Sequence, residues 1–203
     1  MTKTKHDFYV YPTLVDGFNY AKISGNYQDI IDRINKVEKE MPEFVMKGAA
    51  FESCVNAKID GINRYTHDGF TFDKELVDKI ASKLRNTIKK QKWIEKTVDF
   101  EYGKIRIGGF IDYDYQDKTV DLKTCINYRL GKYEKNSQHK AYGLIEDHKK
   151  EFIYLATDLN NYYVEPYINK KKYHEEFLND CAELYNFCKE NEHLIKDTRI
   201  FGK

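Results

Sequence analysis

Three charged residues fall close together in one stretch of the chain. Asp112 ends the segment Gly108-Gly109-Phe110-Ile111-Asp112, and Asp121 and Lys123 lie in Val120-Asp121-Leu122-Lys123-Thr124. Two carboxylates and a lysine on neighbouring strands suit metal-assisted cleavage of a phosphodiester: the acids hold a divalent cation and the ammonium faces the water or the phosphate. Residues 104–115 are rich in β-branched and aromatic types, 119–125 partly alternate, and polar Gln116-Asp117-Lys118 between them reads as a turn. A hairpin centred between Gln116 and Asp117 sets Asp112 opposite Asp121, with Cβ atoms roughly 5 Å apart. Carboxylates that close repel unless a cation lies between them. Asp121 and Lys123 are two apart and share a sheet face. Asp114 shares the face of Asp112 and competes as a ligand. A one-residue slip in register would undo the set, and an acid-x-Lys strand is also what a solvated hairpin looks like.

Two further segments bear on that choice. Residues 47–61 read as a helix stopped by Gly61, with Phe51, Val55, Ile59 and Ile62 as its apolar stripe. Glu52 sits beside that stripe and four residues after Gly48, so it points toward the core side, where a carboxylate is costly unless paired or metal-bound. The plainer reading is a glutamate at the stripe's edge reaching back to water. Gly48 permits close approach of another backbone or a substrate. Downstream, Gln138 and Tyr142 share a face of a helix by their spacing of four. An amide and a phenol there can bind phosphate oxygens or orient a carboxylate.

Taken in order, Gly48…Glu52, Gly109…Asp112, Asp121…Lys123 and Gln138…Tyr142 resemble the motif series of the RecB-like, phage-exonuclease branch of the PD-(D/E)XK nuclease superfamily. The opening Tyr11-Pro12-Thr13-Leu14-Val15-Asp16-Gly17-Phe18 is similar to that family's short first helix, so the likeness spans about residues 11–145. The resemblance implies a restriction-endonuclease-like core and a deoxyribonuclease using Mg²⁺ or Mn²⁺. Asp112, Asp121 and the Leu122 carbonyl would ligate the metal, and Glu52 would take a second metal or a metal-bound water. Lys123 would place the attacking water, while Gln138 and Tyr142 would orient the lysine and touch the DNA backbone. Oxygen-only ligation suits a hard cation that keeps several waters. A stand-alone exonuclease of recombination, repair or phage DNA processing is the first expectation. An endonuclease, an inactive DNA-binding module and a protein-interaction subunit are the alternatives. The implied partners are DNA and a recombination or single-strand-binding protein; an oligomer stays open, since no interface signature is read.

The elements that must position these residues are helices near 12–22, 27–40, 46–60 and 73–91, strands near 93–102, 104–115 and 118–125, a helix near 134–148, a hairpin at 151–158 and 161–168, and a helix from about 170 to 195. That order suits an α/β (α+β) fold with a central mixed sheet flanked by helices, as one domain over 1–203. Hydrophobic residues at 41% and aromatics at 15% argue against disorder. No stretch matches the roughly 20 apolar residues of a membrane span, and Met-Thr-Lys-Thr-Lys-His-Asp lacks an apolar signal core, which points to a cytoplasmic protein, in the host if phage-encoded.

A net charge of +1 means that any DNA-binding face is local. Lys132, Lys135 and Lys140 flank the candidate site and are the expected phosphate contacts; Lys89, Lys90 and Lys92, and Lys170, Lys171 and Lys172, read as solvated helix ends. Cys54, Cys125, Cys181 and Cys188 are expected to be buried reduced thiols, the last two on the stripe Tyr173-Phe177-Cys181-Leu184-Cys188; their order does not suit an iron–sulfur cluster. His139 adjoins Gln138 but points off a different helical face.

Overall fold

The structure is a computed structural model, described over residues 6–202; Met1–Lys5, part of the N-terminal stretch read for a signal core, lies outside the described residues. In chain order the elements are β1 (Phe8–Val10), α1 (Pro12–Ser24), α2 (Gln28–Ile34), α3 (Glu43–Ile59), β2 (Thr66–His67), β3 (Phe70–Thr71), α4 (Lys74–Leu84), β4 (Lys89–Phe100), β5 (Gly103–Asp114), β6 (Lys118–Thr124), α5 (Ser137–Ile145), β7 (Glu151–Thr157), β8 (Tyr162–Ile168) and α6 (Lys171–Glu190), followed by two 3₁₀ turns at Glu192–Leu194 and Thr198–Phe201. The six-stranded sheet is mixed, as expected. β5 runs antiparallel to β4 and β6 and parallel to β1, β7 runs parallel to β6, and β8 closes the far edge antiparallel to β7. Among the described residues no helix is long and apolar enough to cross a membrane.

Helices cover the sheet in two packed cores. One joins Phe8, Val10, Ile105 and Ile107 to Leu14, Val15 and Phe18 of α1 and to Phe177, Cys181, Leu184 and Cys188 of α6. The other joins Phe51 and Val55 of α3 and Leu76, Ile80 and Leu84 of α4 to Tyr113, Val120 and Leu122. The expected stripe of the last helix is therefore a core seam, and Cys54, Cys181 and Cys188 are buried thiols, while Cys125 is half-buried.

Four expectations need correction. The helix expected to run to 91 stops at Leu84, and Lys89–Lys92 belong to β4. The spacing Leu76, Ile80, Leu84, Ile88 prolongs the helical pattern, but Ile88 is exposed and its N–H donates to the Asp114 carbonyl at 2.7 Å, which turns the chain into the sheet. The helix expected over 27–40 ends at Ile34, because Lys36 is left-handed (φ 55°) and Val37 is exposed. Ile62 lies beyond the left-handed Gly61 (φ 82°) that stops α3, so it leaves the apolar stripe and is exposed. β1 and the small β2–β3 hairpin are elements that pattern reading passed over, being only three and two residues long.

β5 carries the organisation of the site. β4 follows its whole length on one side. On the other side the pairing is shared: β1 takes 105–107 and β6 takes only Tyr113 and Asp114. Among the described residues, 108–112 have no strand partner on that side. Backbone groups freed there need other partners. Tyr142 of α5 supplies one, donating its hydroxyl to the Phe110 carbonyl at 3.0 Å.

His139 does point away from the site, into the core. Its ring stacks on Tyr167 at 4.1 Å between centroids and shares a hydrogen bond with the Tyr154 hydroxyl at 3.3 Å. Burial, with Lys140 nearby, pulls its pKa down to about 3. An unfolded histidine titrates near 6.5. Between those values the unfolded chain binds the extra proton, so stability falls as pH drops from about 6.5 toward 3. His139→Phe is expected to flatten this acid limb in chemical-denaturation midpoints measured from pH 7 to 4. An unchanged slope would show that His139 does not set it.

Candidate active site

The hairpin register matches the one expected from spacing. Tyr113 pairs with Val120 and Asp114 with Thr119, and the Tyr115 N–H donates to the Lys118 carbonyl at 3.1 Å to close the turn. One step further, Asp112 stands opposite Asp121, and there the regular ladder stops. Asp112 Oδ2 instead accepts the Leu122 N–H at 3.2 Å. A side chain has replaced a backbone bond at the point where the strands part.

Asp121 is held at both oxygens. Lys123 Nζ lies 2.8 Å from Oδ2, and Gln138 Nε2 donates to Oδ1 at 3.1 Å. Asp121 is almost fully buried and Lys123 is half-buried. Gln138 therefore orients the carboxylate, whereas the resemblance implied that it orients the lysine. Tyr142 also takes a structural place, against Phe110 and Gly109. A methyl on Gly109 would sit 2.5 Å from the Tyr142 hydroxyl and 2.9 Å from its ring. Gly109→Ala is thus expected to displace Tyr142 and cost about 1–3 kcal/mol. Thermal melts should also show Gly109→Ala/Tyr142→Ala losing less than the sum of the single changes, since the clash is shared.

Glu52 reaches the pair from α3. Gln91 of β4 bridges it to the hairpin, its amide donating to Glu52 Oε1 at 2.9 Å and to Asp112 Oδ1 at 3.2 Å. The β4–β5 ladder skips this one position, and Gln91 is left-handed, with φ 49°. A non-glycine residue there is strained, and such strain gathers at functional sites. Gly48, one turn before Glu52, has no room for a side chain because a Cβ would strike the Thr124 hydroxyl. Beside this contact opens a cleft of about 470 Å³, lined by Phe44, Lys47, Gly48, Thr124 and Asp158 among others.

The electrostatics are those of excess negative charge. Burial, with the Asp121 and Glu52 charges, pushes the Asp112 carboxyl up to about 8, against the pull of Lys123. Burial and Asp121 also raise Glu52, opposed by Gln91 and Lys123. Burial alone would lower Lys123, but Asp121, Asp112 and Glu52 outweigh it and hold the ammonium above its ordinary value. Three acids thus act on one lysine, Asp121 in contact and Asp112 and Glu52 through their charge, and a second cation would balance them. Among the described residues no three His, Cys, Asp or Glu side chains are grouped closely enough to form a metal cage. A smaller donor set, Asp112 and Asp121 with the Leu122 carbonyl and waters, is of the oxygen-only kind that a hard ion keeping part of its hydration shell takes.

Two contributors were missed from the sequence. Gln91 is one. Asp16 of α1 is the other: it accepts the Ser137 N–H at 2.6 Å and so caps α5 just before Gln138, a task that the adjacent Asn136 side chain does not perform. Burial raises Asp16, against hydrogen bonds from Ser137 and the charge of Lys123. The Asp in the opening motif was the available signal.

Several expected residues lie elsewhere. Asp114 does not compete as a ligand, because it is buried against Lys149 and Lys92. Lys140 is buried and paired with Glu176 at 2.9 Å, and Lys132 bonds the Ile126 carbonyl at 3.0 Å, so of that group Lys135 alone is exposed. Lys90 pairs with Asp60 at 2.6 Å and Lys92 with Glu146 at 2.9 Å, rather than capping a solvated helix. Lys171 and Lys172 do sit exposed at the start of α6.

No family model and no curated protein matches the chain. Five solved chains resemble its fold. Among them, a structure titled "Crystal structure of SSO0001" superposes with a TM-score of 0.57 at 8% identity, covering 92% of this chain and 79% of the other. At that identity the likeness concerns the fold alone, and it supports the mixed sheet with flanking helices.

Proposed function

We propose that the protein is a metal-dependent deoxyribonuclease of the PD-(D/E)XK type. The observation that supports this most directly is the meeting of Glu52, Asp112, Asp121 and Lys123 at the parting of β5 and β6, with Asp112 raised to about 8 by burial and its acidic neighbours. A divalent cation on Asp112 and Asp121 would activate water and neutralise the phosphate. Gln138 fixes Asp121, and Gln91 spaces Glu52 from Asp112. Lys123, charged and 2.8 Å from Asp121, would hold the attacking water and stabilise the negative charge that develops on the phosphate.

The test is cleavage of end-labelled linear DNA in Mg²⁺ or Mn²⁺, with chelator as control. Lys123→Ala is expected to slow cleavage by about a hundred- to a thousandfold, the usual range for removing one group that stabilises transition-state charge. Cleavage that survives this change, or its absence from the parent protein in either metal, overturns the proposal. A closed circular substrate separates end-dependent from internal cutting.

A further inference from the structure

Beside the acidic site, β4 and β5 expose two large rings to solvent. Trp93 and Phe110 are paired across the strands and meet edge to face at 4.9 Å between centroids, and they are 43% and 53% exposed. Phe110 stands two residues before Asp112, about 7 Å along the strand. Both rings are anchored. The indole N–H donates to Glu95 at 3.0 Å, and the Phe110 backbone is held by Tyr142. Gly108 lets the indole lie against the strand, since a Cβ there would come within 2.8 Å of it.

The surface continues toward a cationic cleft. Tyr9 also borders Gly108, and the Arg106 guanidinium lies over the Tyr9 ring at 5.8 Å while pairing with Glu95. Beyond them is a cleft of about 420 Å³, lined by Tyr9, Tyr11, Arg33, Lys36, Arg106 and Arg199 among others. Among the described residues Asp197 is its one acidic lining group; it pairs with Arg199 and lies 3.7 Å from Lys36. Even with Asp197 and the neighbouring Glu95 counted, cations outnumber anions.

Exposed aromatics next to a basic groove are the two parts of a surface for unpaired nucleic acid, with bases stacking on rings and phosphates meeting arginines. In a duplex the base faces are already stacked inside. We infer that Trp93 and Phe110 form a stacking platform for single-stranded DNA, whose backbone runs on into the Arg106 cleft. This inference rests on the proposed nuclease function and assigns its substrate an unpaired strand at the site.

Trp93 is the chain's single tryptophan, so its fluorescence reports the platform directly. In chelator, where nothing is cut, an oligo(dT) strand is titrated against a blunt duplex of equal length, with anisotropy of the labelled DNA read in parallel. The single strand is expected to quench Trp93 and to bind more tightly than the duplex. Phe110→Ala should weaken single-strand binding by about five- to a hundredfold, the range for one stacked base. Trp93→Phe should retain most of the affinity by anisotropy. Arg106→Gln should lower the log–log salt slope by about 0.7, as one phosphate fewer is neutralised on a single strand. Equal or tighter duplex binding, binding without quenching, an unchanged Phe110→Ala affinity at unchanged melting temperature, or no binding at all would each overturn the inference. The two readings fail separately. Quenching by single strand with no cleavage in Mg²⁺ or in Mn²⁺ would refute the nuclease and keep the platform, and cleavage without quenching would do the reverse.

Discussion

Asp112→Asn is expected to melt higher than the parent protein in chelator and to cleave no DNA. The carboxyl is pushed up to about 8 by burial and by Asp121 and Glu52, while an unfolded aspartate titrates near 3.9. Between those values the folded state holds a proton that the unfolded chain has released, so stability falls as pH rises through this window. Keeping that proton, which the unfolded chain releases, therefore costs the fold on the order of a few kcal/mol at neutral pH. Asparagine keeps an oxygen for the Leu122 N–H and removes the charge. The gain in melting temperature should be large near pH 8 and shrink toward pH 4. Mg²⁺ should raise the parent's melting temperature, since a ligand of the folded state alone stabilises it, and leave the variant unmoved. A variant that melts lower at pH 8 would show that the acids do not repel as described; one that still cleaves would remove Asp112 from the proposed chemistry.

Lys149→Met is expected to be the most destabilising single change outside the apolar cores. Lys149 is buried with Asp114 and Glu146. Its ammonium pairs with Asp114, lies 2.9 Å from Glu146 and donates to the Tyr115 carbonyl at 2.7 Å. Lys92, 3.1 Å from Asp114 and 2.9 Å from Glu146, would then face both carboxylates alone. Removing one partner of a buried pair costs about 3–5 kcal/mol, because the other charge is left uncompensated. Burial works to raise Asp114 and Glu146, but the two lysines outweigh it and hold both carboxyls below their usual range. The stability they contribute is present above the unfolded carboxyl values, near 4, and is lost as pH falls through the lower folded ones. The gap between parent and variant in urea denaturation should thus narrow below about pH 4. Asp114→Asn/Lys149→Met should lose less than the two single changes summed. A gap that is constant with pH would mean that packing, not charge, accounts for the loss.

The hairpin was legible in the sequence because its turn is polar, its strands are β-rich, and a period of two fixes which residues oppose one another. Gly48 was legible as a close approach, and the Thr124 side chain leaves no room there for a Cβ; the equally tight packing of Gly109 under Tyr142 had no signal of its own beyond its place in the motif series. Asp114 misled because alternation gives a face but not a neighbour: Lys149 arrives from a loop 35 residues away. Lys140 misled for the same reason, its partner Glu176 coming from α6. Gln91 had no local signal at all. Its role comes from a left-handed backbone and a skipped pairing, which depend on β5 being in place. Ile88 continued a helical spacing that the sheet overrode.

The cap that Asp16 places on Ser137 couples elements that are 121 residues apart. A helix capped from within can begin to form alone, but α5 is only nine residues long and borrows its first acceptor from α1. Short helices are marginal in isolation. The docked first helix thus supplies the acceptor that α5 lacks within itself, and the position of Gln138, the sidearm that steadies Asp121, depends on that contact. Opening events that release α1 would slacken that arm while the strands stay paired, so amide exchange at Ser137 should follow the fraying of the first helix rather than global unfolding.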